Sequence, residues 1–193
     1  MEINVGKTKE LVLDARKTKI LFLPVKVNNE PVKVVSNFRY LDTLIDNKLC
    51  FSDNSDLIYK KSKKSQQRLY LLRKLSSFGV SRELLQTVYK SLVESVLTFN
   101  IVVWCGNLGV KGKTKLARIV GMAGKILGAK QDSLSDLYLT AVERKTAWIV
   151  DDAKHPLFSQ FRKLPSGRRY KVPIARQNVY KKQQLVSQVL FLF

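Results

Sequence analysis

Between Asp53 and Cys105 two amphipathic stretches flank a short break, and this hairpin constrains the fold more than any other part of the chain. The first arm carries Ile58, Leu69, Leu72 and Leu75 at helical spacings, with the small Ser62 and Ser65 in the same stripe. The second carries Leu85, Val88, Leu92, Val96, Phe99 and Val103 at the same period, which predicts one continuous helix ending at Cys105. Phe78-Gly79-Val80 interrupts the pattern, Ser81 is a good N-cap with Glu83 in the turn behind it, and Gly106-Asn107 supplies a stop. From Lys60 to Lys74 the first arm has seven basic residues (Lys60, Lys61, Lys63, Lys64, Arg68, Arg73, Lys74) and no acidic one. A helix with one apolar stripe and one cationic face is suited to lie beside a polyanion.

The rest of the composition points the same way. Thirty-five Lys plus Arg against fifteen Asp plus Glu leave a net charge of +20, and no acidic residue follows Asp152. Such an imbalance opposes a compact monomer by self-repulsion and favours nucleic acid as a partner, or an anionic membrane surface. A merely soluble basic protein is the plainer alternative. A hydrophobic content of 45% in 193 residues is enough for a folded core. The two cysteines, Cys50 and Cys105, form no CxxC pair, so neither a zinc knuckle nor a disulfide framework is expected. The N-terminus lacks the apolar region of a signal peptide, which points to an intracellular location, nuclear or cytoplasmic. The most apolar run, Val96 to Cys105, is too short to span a bilayer.

Residues 7 to 46 read as three or four short strands in hairpin connection. Asn28-Asn29 is a tight-turn signal, and Phe38-Arg39-Tyr40-Leu41 opens a strand running through Leu44-Ile45 to Asp46-Asn47. After the hairpin, Val110 to Leu127 reads as a helix with Leu116, Ile119, Val120, Ala123 and Leu127 inward, despite Gly121 and Gly124. Ser133 to Val150 reads as another, carrying Leu134, Leu137, Val142 and Trp148. Residues 153 to 182 form a proline-punctuated arm in which nine residues are basic, and Leu185 to Phe193 are apolar again.

Catalytic signatures are weak by comparison. The single histidine, His155, sits before Pro156 and belongs to no triad pattern. One histidine also leaves the two-His-one-carboxylate site of an iron(II) dioxygenase unfilled. Asp42 with Asp46, Asp53 with Asp56 and Asp151 with Asp152 are the carboxylate pairs available for metal-assisted phosphoryl transfer. The latter two sit at helix ends, where carboxylates cap, and none lies in an apolar strand. Gly6-Lys7-Thr8 matches only the end of GxxxxGK[ST]. No catalytic residue, metal ligand or cofactor is therefore expected. Two patches instead mix cations with rings, Lys60 to Lys74 with Tyr59 and Tyr70, and 162 to 182 with Tyr170 and Tyr180. Cations hold phosphates, and rings stack on bases or sugars.

An ordered set of segments carries a family resemblance. Asn4-Val5-Gly6-Lys7-Thr8-Lys9-Glu10-Leu11, Phe38-Arg39-Tyr40-Leu41-Asp42-Thr43, Asp46-Asn47-Lys48-Leu49 and Gln67 to Leu75 resemble the back half of a LINE-type (non-LTR) retrotransposon reverse transcriptase. Val93 to Thr98, Trp104-Cys105-Gly106-Asn107 and Leu164 to Tyr170 continue the likeness in order, so that it runs from about residue 3 to about 182. The resemblance implies that Lys7 and Lys9 lie near an incoming nucleotide, that Phe38, Arg39, Tyr40 and Leu41 form a primer-grip hairpin, and that residues 53 to 105 are a helical thumb tracking a duplex. The family usually has Gly where Asp42 stands, a departure at the turn. It also places the paired catalytic aspartates upstream of residue 1, which implies a truncated, catalytically inactive protein. Residues of about 40 to 75 are similar as well to the N-terminal segment of the AlkB-homologue dioxygenase–methyltransferase of tRNA. Neither the metal triad nor a glycine-rich cofactor loop of that enzyme is present.

The expectation is an α+β fold with a small antiparallel sheet and palm-like hairpins at 1–50, a mainly helical, thumb-like bundle at 51–152, and a basic C-terminal arm at 153–193. Its function would be nonspecific binding of RNA, DNA or a hybrid duplex through Lys60, Lys61, Lys63, Lys64, Arg68, Arg73, Lys74, Arg168, Arg169 and Tyr170, with no small-molecule substrate and no transmembrane segment. The alternative is a module whose amphipathic helices dock on a protein, the charge serving solubility.

Overall fold

In the computed structural model of the chain, residues 3–4, 6–13, 22–167 and 170 are described, apart from the side chains of 61–66. The fold is α+β. Its strands are short because turn residues recur every few positions. Strand β1 (Lys9–Glu10) pairs with β4 (Lys33–Val34), and β2 (Lys26–Val27) pairs with β3 (Glu30–Pro31) across Asn28-Asn29. Both asparagines have positive φ, 51° and 67°, as a two-residue hairpin whose turn twists with its strands requires. Strands β5 (Asn37–Tyr40) and β6 (Thr43–Asp46) form the most extended hairpin, with Tyr40 opposite Thr43.

The strands do not join into one antiparallel sheet. Among the described residues they make three separate two-stranded ladders, and β1 runs parallel to β4, with Lys9 opposite Lys33 and Glu10 opposite Val34. The segment expected to run as one strand from Phe38 to Asp46 is folded back at Leu41-Asp42, where φ is 43° and 65°. Leucine seldom adopts that conformation, and the ion pair between Arg39 and Asp42 braces it.

Helix α1 (Ser52–Ser77) follows the expected first arm, with Ile58, Leu69 and Leu72 buried and Leu75 half-buried. It ends where Gly79 turns left-handed at φ 72°, its N–H bonded to the Ser76 carbonyl and that of Val80 to the Leu75 carbonyl. Ser81 then caps α2 (Arg82–Tyr89) by accepting from the Leu84 N–H.

The second arm differs from its expectation. It is broken into α2, a π-turn (Lys90–Glu94), α3 (Ser95–Thr98) and α4 (Ile101–Trp104), with Asn100 left-handed at φ 49° between the last two. The buried residues are Leu85, Tyr89, Val93, Leu97, Ile101 and Trp104. Val88, Leu92 and Val96 are half-buried, and Phe99 and Val103 are exposed. A stripe spaced by four drifts around an ordinary helix of 3.6 residues per turn; a wider π-turn in its middle keeps it facing inward.

Tyr89 is fully buried, and its hydroxyl has no hydrogen-bond partner among the described residues. A buried hydroxyl without a partner costs about 1–3 kcal/mol. Replacing Tyr89 by Phe should therefore leave the urea midpoint unchanged or raise stability by about 1 kcal/mol. A fall of that size would show that the hydroxyl is bonded in solution.

Helix α5 (Val110–Leu127) has the expected bounds and buries all five expected residues, Leu116, Ile119, Val120, Ala123 and Leu127. Gly124 has a packing reason: a Cβ there would stand 3.1 Å from the Ala129 carbonyl oxygen. Helix α6 (Leu134–Asp151) opens on a reciprocal cap between Ser133 and Asp136. It buries Leu134, Val142, Thr146 and Ile149, whereas Trp148, expected inward, is 53% exposed. The stripe 142, 146, 149 places position 148 outside it.

The β5–β6 hairpin enters α1 through a tight corner organised by one carboxylate. Asp46 accepts the backbone N–H groups of Lys48 (3.0 Å), Cys50 (3.2 Å) and Phe51 (2.7 Å). Those bonds hold Leu49 and Phe51 at positive φ, and Asn107 adds a bond to the Leu49 carbonyl. Burial of Asp46 pushes its pKa up, but the donors from Cys50, Phe51 and Lys48 outweigh it and hold the carboxyl below its ordinary value. A lowered folded-state pKa adds stability that is complete above the unfolded value of about 3.9 and is lost as pH falls through the folded one. Replacing Asp46 by Ala should cost about 3 kcal/mol at neutral pH and flatten the acid limb of stability against pH. An unchanged acid limb would remove Asp46 as its source.

Candidate nucleic-acid interface

Lys60 is exposed on α1, and Lys61, Lys63 and Lys64 follow it in the same helix, their side chains outside the described residues. The other cations of the first arm are placed differently from one another. Arg68 Nη1 donates to the Leu92 carbonyl at 2.7 Å, tying the first arm to the π-turn of the second. Lys74 lies 5.9 Å from the ring centroid of Tyr70, which is exposed beside it. Arg73 instead lines a groove of about 450 Å³ with Ser76, Ser77, Met122, Lys125 and Ile126.

That groove reveals cations not singled out from the sequence. Helix α5 contains Lys111, Lys113, Lys115, Arg118 and Lys125 and no acidic residue, and it packs along α1. The two helices run in the same direction: Lys115 meets Asp56 at 2.6 Å, with Tyr59 beneath it at 4.8 Å, while Lys125 shares the groove with Arg73. Together α1 and α5 hold twelve Lys and Arg against two acidic residues, Asp53 and Asp56. The signal was legible as charge composition over 110–127; its adjacency to α1 was not. Like charges on neighbouring helices repel, and a row of phosphates would relieve that repulsion.

The hairpin residues are split between core and solvent. Phe38 is half-buried; Arg39, Tyr40 and Leu41 are exposed at the tip, Arg39 pairing with Asp42. Lys7 sits in an exposed turn built on Asn4, and Lys9 lies on β1. Of the C-terminal residues, Arg168 and Arg169 lie outside the described residues, as do 171–193. Tyr170 is bridged to Lys163, with Phe161 edge-on at 6.1 Å. A second aromatic site was missed: Lys145 Nζ stands 3.8 Å from the centroid of the exposed Trp148 ring, and the His155 ring meets it edge-on with centroids 4.8 Å apart.

Four of the six carboxylates in these pairs make local bonds, Asp42 with Arg39 among them. Asp46 organises its corner, Asp56 pairs with Lys115, and Asp152 accepts the Lys154 N–H at 2.9 Å. His155 Nδ1 accepts the Leu157 N–H at 3.0 Å. Among the described residues no group of three His, Cys, Asp or Glu stands close enough to hold a metal, and no helix is long and apolar enough to cross a membrane.

Residues 54–95 match the family described as alkylated DNA repair protein alkB homolog 8, N-terminal. The match begins later than the 40–75 region read from sequence and extends further, through α2 and the π-turn to the first residue of α3. It covers about a fifth of the chain. No curated protein and no solved structure matches the chain. What the comparisons establish is a likeness of the basic helical hairpin, 54–95, to that N-terminal segment.

Proposed function

We propose that this protein binds nucleic acid without sequence preference, lying along an RNA–DNA or similar duplex through the cationic sides of α1 and α5. The observation that carries this reading is the packing of two basic helices side by side, twelve cations to two acidic residues, with Tyr70 exposed among them. In this reading the pair acts as the thumb-like element suggested by the reverse-transcriptase resemblance. The β5–β6 tip, with Arg39, Tyr40 and Leu41, is the second contact, and no residue has a catalytic role. The likeness of 54–95 to a segment of an alkylated-DNA repair protein adds support, because the matched stretch is the basic hairpin itself.

Fluorescence anisotropy with a labelled RNA–DNA hybrid across a salt series tests it. Phosphate contacts make the affinity fall linearly on a log–log plot, with a slope of about −0.9 per contact for a B-form duplex, so six contacts lose roughly a thousandfold between 50 and 200 mM. Affinity insensitive to salt would instead favour apolar docking on a protein partner.

A further inference from the structure

A cavity of about 310 Å³ opens where the β5–β6 turn, the start of α1 and the α3–α4 break converge. That volume is at the small end of ligand-sized sites, which span about 300–1,000 Å³. Its walls are largely apolar: Ile58 and Trp104 are buried in them, Val96 is half-buried, and the Phe99 ring is half-exposed at the rim. Two polar side chains lie deep within it. Asn54 is 1% exposed, and its amide orientation is set because Oδ1 accepts the Leu44 N–H at 2.9 Å. Nδ2 is thereby directed away from that bond and has no partner among the described residues. Thr43, also buried, accepts from Asn100 Nδ2 at 3.0 Å, so its own hydroxyl proton is left to donate.

A buried amide donor without a partner is costly, and a ligand that supplies an acceptor removes the cost. The rim carries the Asp42 carboxylate, paired with Arg39, which opposes entry of a free phosphate or carboxylate. The occupant is therefore a neutral group with apolar faces and an acceptor-bearing edge. An unpaired nucleobase has that chemistry: π-faces for Phe99 and ring nitrogen or carbonyl acceptors for Asn54 and Thr43. The cavity is lined by Asp42 at the β5–β6 turn, beside the exposed Arg39 and Tyr40 of the second contact proposed above, so a strand held at that tip passes its mouth.

Resting on the nucleic-acid reading above, we infer that this cavity receives one unpaired base of the bound strand. The test compares three RNA–DNA hybrids: fully paired, with a one-nucleotide bulge, and with the same bulge made abasic. The full-length protein should bind the base-bearing bulge about fivefold or more tighter than the abasic one, the scale of a single stacked base. Val96→Trp, which fills the cavity, and Asn54→Asp, which keeps the acceptor for Leu44 and removes the donor, should each abolish that preference and leave affinity for the paired hybrid unchanged. Equal affinity of the unsubstituted protein for both bulges overturns the inference while the nucleic-acid reading stands. So does a preference that survives Val96→Trp. Absence of binding to all three hybrids overturns both.

Discussion

With Lys60, Lys61, Lys63 and Lys64 replaced together by Gln, the proposed function predicts that affinity for an RNA–DNA hybrid should fall about a hundredfold at roughly 0.1 M salt. The four residues lie within two turns of α1, in its most basic stretch. Each lysine that neutralises a phosphate releases a condensed counterion, so losing four contacts reduces the steepness of log affinity against log salt by about 3–4. Glutamine is nearly as good a helix former as lysine, so α1 should persist and circular dichroism should be unchanged. Loss of affinity with a flattened slope identifies the helix as the phosphate-contacting element. A variant that binds as tightly as the parent, with the same slope, removes α1 from the interface and moves attention to α5 and the C-terminal arm.

Replacing Trp104 by Ala is the second large effect, about 3–5 kcal/mol of lost stability. Trp104 is fully buried at the end of the second arm, and its indole N–H donates to the Phe99 carbonyl at 2.8 Å, where the helix is broken before Asn100. Truncation opens a cavity beside Ile58 and Phe99 and leaves that carbonyl without its donor. Against a typical total of about 5–15 kcal/mol, much of the folded population would be lost. Val103 is the sharp control. Helical periodicity read from sequence puts it in the core, yet it is 51% exposed, so Val103→Ala should fall within about 0.5 kcal/mol of the parent. Urea midpoints for the two variants decide the register: a larger loss for Val103 than for Trp104 would contradict the observed packing.

The register of the second arm shows where sequence reading reaches its limit. Leu85, Val88, Leu92, Val96, Phe99 and Val103 fit an unbroken α-helix at least as well as the buried set does. From Leu85 to Ile101 the buried set is spaced by four and needs a π-turn, whose carbonyl at Leu92 is met by Arg68 from the other arm. No local propensity specifies a bond between residues 24 positions apart. Trp148 makes the same point: its apolar mass suggests the core, but Thr146 and Ile149 already fill that face of α6.

Where the determinant is local, the residues are sufficient. The α+β class, the start and end of α1 and α5, the five inward residues of α5, the Ser81 cap and the Asn28-Asn29 turn all follow from periodicity, capping and turn chemistry within a few positions. The cationic character of the chain is equally a property of composition. Tertiary structure decided everything that depends on who packs against whom. It set β1 parallel to β4, folded the segment from Phe38 to Asp46 back at Leu41-Asp42, and broke the second arm at Asn100. It also laid basic α5 along basic α1, and it placed the buried Asn54 in the wall of a cavity built from three separate parts of the chain. The reason is that burial is not directional: many apolar registers lose similar area from water, and only simultaneous packing with satisfied backbone groups selects one.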